Sequence, residues 1–290
     1  MSAAASVKAM RVRSRRRIGL GQVILRLVLV LGTVIVVGPF YWTVVTSLKA
    51  REEVLLFPPT WWPRSPTLEH WIGLTQLRTG SFQLFFRNSM FVSTVVTLLI
   101  LLTSSMAGYV FAKQRFRGRD ALFIGILSMM MIPFNVAMIP LYAFMVRLKW
   151  NNSYWALIIP SAYSPFGIFL MRQFIHSIPN ELIDAARIDG AGEFGIFFKI
   201  ILPLSTAPLA ALAIFTFIGQ WDDFLWPLVI IDEPALYTIP LGLSQFRGRV
   251  GTDVGGLAAA SLVAVVPVLI VYFMAQRRFI EGMAMNGLKG

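Results

Sequence analysis

The chain contains no cysteine, so neither a disulfide nor a thiolate metal site can be built from it. Histidine is nearly as scarce. His70 and His176 are its only imidazoles, and they fall in different loops, which leaves no metal-ligand set and an expectation of no bound metal. Charge is sparse too: 14% of the 290 residues are Asp, Glu, Lys or Arg, against about 25% in a soluble globular chain. No lysine stands in the Gly-x-x-x-x-Gly-Lys-Ser/Thr run that cradles nucleotide phosphates. No polar stretch is long enough to form a soluble domain. These absences exclude a disulfide scaffold, a metal centre made by this chain alone, and an ATPase with its own P-loop.

What the chain has in excess is apolar sequence: 57% of residues are hydrophobic and the mean hydropathy is +0.70. The apolar residues come in runs of about 20 or more, enough to cross a bilayer core of about 30 Å. Six such segments can be read, near 20–45, 88–112, 120–146, 154–175, 204–231 and 256–276, so the expected fold is an all-α integral membrane protein with a spanning domain over 20–276. A basic segment, 1–19, precedes it and a short tail, 277–290, follows. The segment before Leu20 carries Lys8, Arg11, Arg13, Arg15, Arg16 and Arg17, and the apolar run after it is too long for a cleaved signal.

The net charge of +12 does not mark a nucleic-acid binder, because the basic residues sit in short loops between apolar runs. Placing the N-terminus inside assigns sixteen lysines and arginines to inner segments and nine to outer ones, with Arg26 inside the first span. Both termini are therefore expected in the cytoplasm. Pro133 and Pro140 fall in the third span, Pro160 and Pro165 in the fourth, and Pro208 and Pro227 in the fifth. Such prolines either kink packing helices or break them to line a pathway.

The longest inner loop, 178–203, begins Ile178-Pro179-Asn180-Glu181-Leu182-Ile183-Asp184-Ala185-Ala186-Arg187-Ile188-Asp189-Gly190-Ala191. Pro179 and the early acids suit a helix start, and Gly190 suits its stop. Leu182, Ala185, Ala186 and Ile188 are expected to form one apolar face, and a second short helix is expected over 193–200. A helix this short needs something to pack on. Lipid headgroups are one choice. Four acidic residues, Glu181, Asp184, Asp189 and Glu193, would be repelled by an anionic inner leaflet, which makes a protein the better partner. A sugar pathway needs aromatic faces beside hydrogen-bonding groups, and Gln220, Trp221, Asp222, Asp223 and Trp226 supply both, with Asn135, Tyr142 and Tyr163 as further candidates. An interfacial aromatic belt is the alternative reading of the two tryptophans.

The stretch from Asp184 to Pro203 resembles the EAA loop of binding-protein-dependent ABC importers. That signature runs Glu-Ala-Ala, three residues, Gly, nine residues, Ile-x-Leu-Pro; here it reads Asp184-Ala185-Ala186, Gly190, Ile200, Leu202, Pro203, with Asp184 for the usual Glu. Ser47-Leu48-Lys49, Asn88-Ser89, Ala107-Gly108-Tyr109 with Phe116, and Pro140-Leu141-Tyr142 are similar to carbohydrate permeases of the maltose-permease family. So are Trp221-Asp222-Asp223-Phe224, with Asp222 where Asn is usual, and the ending from Gln276 to Gly290. The resemblance covers roughly residues 40–290.

The resemblance implies a type I ABC importer permease fold in a bacterial or archaeal cytoplasmic membrane. It implies a second related permease subunit, two cytoplasmic ATPase subunits and an extracytoplasmic solute-binding protein, with membrane lipid around them. This chain would bind no cofactor; ATP and Mg would be used by the ATPase partners. The helix 179–190 would be the coupling helix, with Glu181, Asp184, Ala185, Ala186, Asp189, Gly190, Ala191, Leu202 and Pro203 as the ATPase-coupling set. Gln276, Arg277, Glu281, Gly282 and Lys289 would reach the ATPases from the tail. The implied cargo is a di- or oligosaccharide, with a polyol or glycerol-phosphate as alternatives in the same family, and a secondary transporter as the reading outside it.

Overall fold

The computed structural model describes residues 20–75, 81–248 and 251–287. The basic segment 1–19 and Lys289 lie outside the described residues. Helices of nine or more residues are α1 (Leu20–Leu48), α2 (Phe82–Lys113), α3 (Arg119–Ser128), α4 (Phe134–Arg147), α5 (Pro165–His176), α6 (Asn180–Ile188), α7 (Thr206–Trp221) and α8 (Val254–Gly287). A two-residue hairpin precedes α8, with Arg247 opposite Thr252 and Gly248 opposite Gly251.

Among the described residues, three helices are each long and apolar enough to cross a membrane: Gly21–Leu48, Phe82–Lys113 and Val254–Met274, with mean hydropathies of 2.5, 2.0 and 2.5. Two bent pairs qualify only when joined. Arg119–Met131 with Phe134–Arg147 turns through 99°, and Glu193–Leu204 with Thr206–Trp221 through 78°. The segment expected over 154–175 is two short helices, Tyr154–Ile158 and α5, joined by a turn. The sixth segment continues without a break to Gly287, so the span and the tail expected from 277 form one helix.

The prolines account for the breaks, though mostly not at their own positions. Pro133 acts on its neighbour: Ile132 is extended, at φ −90° and ψ 113°, because the proline ring excludes the helical conformation there. Elsewhere the ring would strike the carbonyl four residues earlier. Pro208 therefore places the bend at Leu204–Ser205, and Pro227 separates α7 from the helix Leu225–Ile230 at Asp222–Phe224. Pro165 opens α5 behind Ser164, whose hydroxyl accepts from Gly167 N at 3.0 Å. Pro140 sits inside α4 without ending it.

α2 is the axis of the packing. It makes its two most extensive contacts with α5 and α7. At Gly108 a Cβ would lie 2.7 Å from Met171 Cβ and 2.9 Å from Arg172 N, so only glycine allows α5 this close. The main core joins Val92, Val96 and Ile100 of α2 to Met171 and Ile175 of α5, Leu212 of α7 and Trp226. At the end of α2 remote from α6, Asn88 and Ser89 act as pins. Asn88 Nδ2 donates to the carbonyls of Ala235 and Tyr237 at 2.8 and 3.0 Å, and its Oδ1 accepts from Tyr154 at 2.7 Å. Ser89 Oγ accepts from Ile239 N at 2.7 Å. From Gly21 to Tyr41, α1 stands exposed along its whole length.

The loop after α1 is held by buried charge. Lys49 is 1% exposed, lies 4.5 Å from the Trp42 ring centroid and donates to Thr60 O at 2.7 Å. Glu53 accepts from the Thr60 hydroxyl at 2.6 Å and from Arg64 N at 3.1 Å. The Thr60 hydroxyl, foremost, holds the Glu53 carboxyl below the usual carboxylate range. A depressed pKa contributes stability that is present above the unfolded value and lost as pH falls through the folded one. Limited proteolysis is therefore expected to cut between residues 50 and 66 faster as pH drops below about 4.5. A Glu53→Gln chain should lack that pH dependence; equal dependence in both would refute the assignment.

Candidate functional site

The loop between α5 and α7 carries α6. Pro179 sits at its cap position rather than in its first turn, and Glu181 complements the helix dipole one residue in. Gly190 stops it as the sequence suggests. Its φ is +82°, with Gly190 N bonded to Arg187 O and Ala191 N to Ala186 O, the left-handed closure that favours glycine.

The faces of α6 divide differently from the expected single apolar stripe. Ile183, 2% exposed, is the residue that seats the helix on the core, with Ala186 half-buried beside it. Leu182, Ala185 and Ile188 point outward, and Ile188 is 87% exposed. Nine residues give fewer than three turns, too few for sequence periodicity to fix which side is inner. Of the coupling set, Glu181, Asp184, Ala185, Asp189 and Gly190 are exposed, as is Pro203, while Ala186, Ala191 and Leu202 are half-buried. The second short helix is longer than expected. Glu193–Ile196 continues through a π-helical turn, Phe197–Ile201, to Leu204. Phe194 is 71% exposed, so Leu182, Ile188 and Phe194 leave apolar surface open beside the exposed Glu181, Asp184 and Asp189.

Six polar residues absent from the expected coupling set, Glu193, Arg187, Tyr109, Gln114, Lys113 and Asn180, hold this loop. Glu193 accepts from the Tyr109 hydroxyl and from Gln114 Nε2, each at 2.6 Å, and from Arg187 Nη2 at 2.9 Å. Arg187 also reaches Asp184 at 3.4 Å. The Glu193 carboxylate raises the Arg187 pKa further, keeping the guanidinium charged. At the other end of α6, Lys113 Nζ donates to Asn180 Oδ1 at 2.8 Å and to the Ile178 carbonyl. Tyr109 carried a sequence signal through its place in Ala107-Gly108-Tyr109; Lys113 and Gln114 carried none.

Four of the pathway candidates fall at helix breaks. Asn135 follows the break at Pro133 and is exposed, Tyr163 lies in the turn before α5 at 55% exposure, and Asp222 and Asp223 lie between α7 and Leu225–Ile230. Tyr142 is 41% exposed on α4, and Gln220 is half-buried at the end of α7. The third and fifth segments meet where the Phe134 ring stands edge-on to Trp226, 6.0 Å between centroids. Trp221 and Trp226 leave the pathway set, and they are not an interfacial belt either. They are 2% and 1% exposed, and their indole N–H groups donate to Ala264 O at 3.0 Å and Ala156 O at 2.8 Å. A ring enclosed on all sides packs helices and has no face to offer a sugar. Among the described residues no group of three or more His, Asp or Glu could hold a metal. In the tail, Gln276 is half-buried, and Arg277, Glu281 and Gly282 lie on the last turns of α8.

A family model described as binding-protein-dependent transport system inner membrane component matches residues 100–284. The chain is 40% identical over 245 residues to an arabinooligosaccharides transport system permease protein of Halalkalibacterium halodurans, covering 84% of this chain and 86% of that one. It is 32% identical over 261 residues to an sn-glycerol-3-phosphate transport system permease protein of Escherichia coli, covering 88% and 93%. The fold is similar to a chain in the crystal structure of a bacterial ABC transporter that imports the acidic polysaccharide alginate, with a TM-score of 0.80 at 21% identity over 91% of this chain and 98% of that one.

Proposed function

Since the chain belongs to the family of binding-protein-dependent transport system inner membrane components, we propose that it is the permease subunit of an ATP-driven sugar importer. The cargo proposed is a di- or oligosaccharide handed over by an extracytoplasmic binding protein. A relative named for arabinooligosaccharides supports that class, and one named for glycerol-3-phosphate supports the alternative. Six spans with both termini inside put α6 in the cytoplasm, where it is the coupling helix. ATP is hydrolysed by two partner subunits, and a second permease completes the pore. Partner closure pushes α6, and the broken third to fifth spans rock between inward- and outward-facing states. Asn135, Tyr142, Tyr163, Gln220, Asp222 and Asp223 line the cargo path, with Asn135, Tyr163, Asp222 and Asp223 at breaks of the kind transporters place at their binding sites.

The observation that carries this reading is the open apolar surface of Leu182, Ile188 and Phe194 set among Glu181, Asp184 and Asp189. Water leaves apolar surface unsatisfied and an anionic leaflet repels the acids, so a protein cleft with basic character fits it. Co-expressed with its operon partners and purified in detergent, the chain is expected to bring down an ATPase subunit. Gly190→Val forces a β-branched residue to φ +82°, at a cost of about 1–3 kcal/mol that cuts ATPase recovery about tenfold. Gly190→Asn, which tolerates the left-handed conformation, should keep most of it. Equal recovery with valine would overturn the docking assignment.

A further inference from the structure

The covalent route from α6 to the transmembrane bundle is poorly suited to carrying force. On one side the chain leaves α5 through a turn at Ser177 and an extended Pro179. On the other the helical run 193–204 meets α7 at a bend of 78°. A push along α6 would be absorbed at these joints. By contrast, both ends of α6 are gripped by one unbroken helix. Lys113, in the last turn of α2, holds Asn180 at the start of α6. Tyr109, one turn earlier on the same face of α2, and Gln114, its C-cap, hold Glu193, which in turn holds Arg187 near the end of α6. α2 has 32 residues and is about 48 Å long at 1.5 Å per residue, and α5 and α7 pack against it along the way.

We infer that α2 is the shaft through which motion of α6 reaches the far side of the membrane, with Glu193 the positioning residue that clamps the coupling helix to it. The inference rests on the docking reading above and adds the route by which docking is felt. Glu193 bonds to both bodies at once, through Tyr109 and Gln114 to the shaft and through Arg187 to α6. Removing it frees the C-terminal end of α6 while leaving Ile183 seated and the outer surface of Leu182 and Ile188 unchanged.

The absence of cysteine from this chain makes the test direct. Gln83, exposed at the opposite end of α2, is replaced by cysteine, and its maleimide labelling in this subunit is followed in the assembled, membrane-reconstituted complex with and without ATP. With Glu193 intact, ATP is expected to change the labelling rate about fivefold, within the usual range of inter-site coupling. In the Glu193→Ala chain the ATPase still co-purifies and hydrolyses ATP, but the labelling rate no longer responds. Glu193→Gln, which keeps an acceptor for Tyr109 and loses the negative charge that pairs with Arg187, should respond partially. The exchange Arg187→Glu with Glu193→Arg should restore a response. An undiminished response in Glu193→Ala overturns the inference, and so does loss of the ATPase from that variant, since the clamp would then only shape the docking surface. An unmutated particle without any ATPase sinks the docking reading itself, a result seen before any labelling is done.

Discussion

An Ile188→Asp chain is expected to reach the membrane in normal amount and to lose its ATPase on purification, with recovery down about tenfold to a hundredfold. Ile188 is 87% exposed, so the substitution removes almost no packing within the chain and places the aspartate in water. On the docking proposed above, the same side chain is buried against the ATPase subunit. Burying an isoleucine is worth about 1.5–3 kcal/mol, and each 1.4 kcal/mol is about tenfold in binding. The aspartate adds the cost of carrying a charge into that contact. Ile188→Leu keeps the apolar area and should behave almost normally. Ile183→Asp makes the useful contrast: that residue is 2% exposed and seats α6 on the core, so its loss should appear as a poorly folded chain rather than an unpartnered one. If Ile188→Asp retained its ATPase at the unmutated level, the outward face of α6 would not be the docking face.

Trp226→Ala is expected to be the more damaging change to the chain itself. The indole is 1% exposed, its N–H satisfies the Ala156 carbonyl at 2.8 Å, and its ring meets the edge of Phe134. Truncation opens a cavity at the contact between the broken third and fifth segments and orphans a buried carbonyl. Tryptophan-to-alanine changes in cores cost about 3–5 kcal/mol. The lower end applies here, because lipid rather than water is the competing solvent for the ring. A loss of about 3 kcal/mol corresponds to a fall of roughly 6–12 °C in melting temperature for a chain this size, read by a thermal-stability assay in detergent. Tyr163→Ala, at 55% exposure, should leave the melting temperature in place and lower transport. A Trp226→Ala chain with unchanged melting and weakened cargo transport would return that tryptophan to the pathway.

The two tryptophans show where sequence and structure part. Aromatic rings beside carboxylates at Trp221-Asp222-Asp223 and Trp226 have the composition of a sugar site, and composition is silent about enclosure. Burial depends on which helices close over a ring, here the backbone at Ala264 and Ala156, 43 and 70 residues away in the chain. The stop of α6 was legible: Gly190 ends the helix as expected, because a left-handed stop is a local backbone preference that one residue type satisfies. The inward residue, Ile183, was missed because a nine-residue helix shows too little of its period.

By itself the sequence determined the membrane class, since runs of about 20 apolar residues have no other stable home. It also marked the neighbourhoods of the breaks, since a proline ring acts on backbone within four residues of itself, though Pro140 leaves α4 whole. Both are local effects, complete within one segment. The tertiary structure alone decided which face of α6 looks outward, which aromatics are enclosed, and that Glu193 bonds across 84 residues to Tyr109. Those outcomes depend on contacts between segments distant in the chain, and a hydrogen bond or a buried ring exists only once both partners have been brought within a few ångströms.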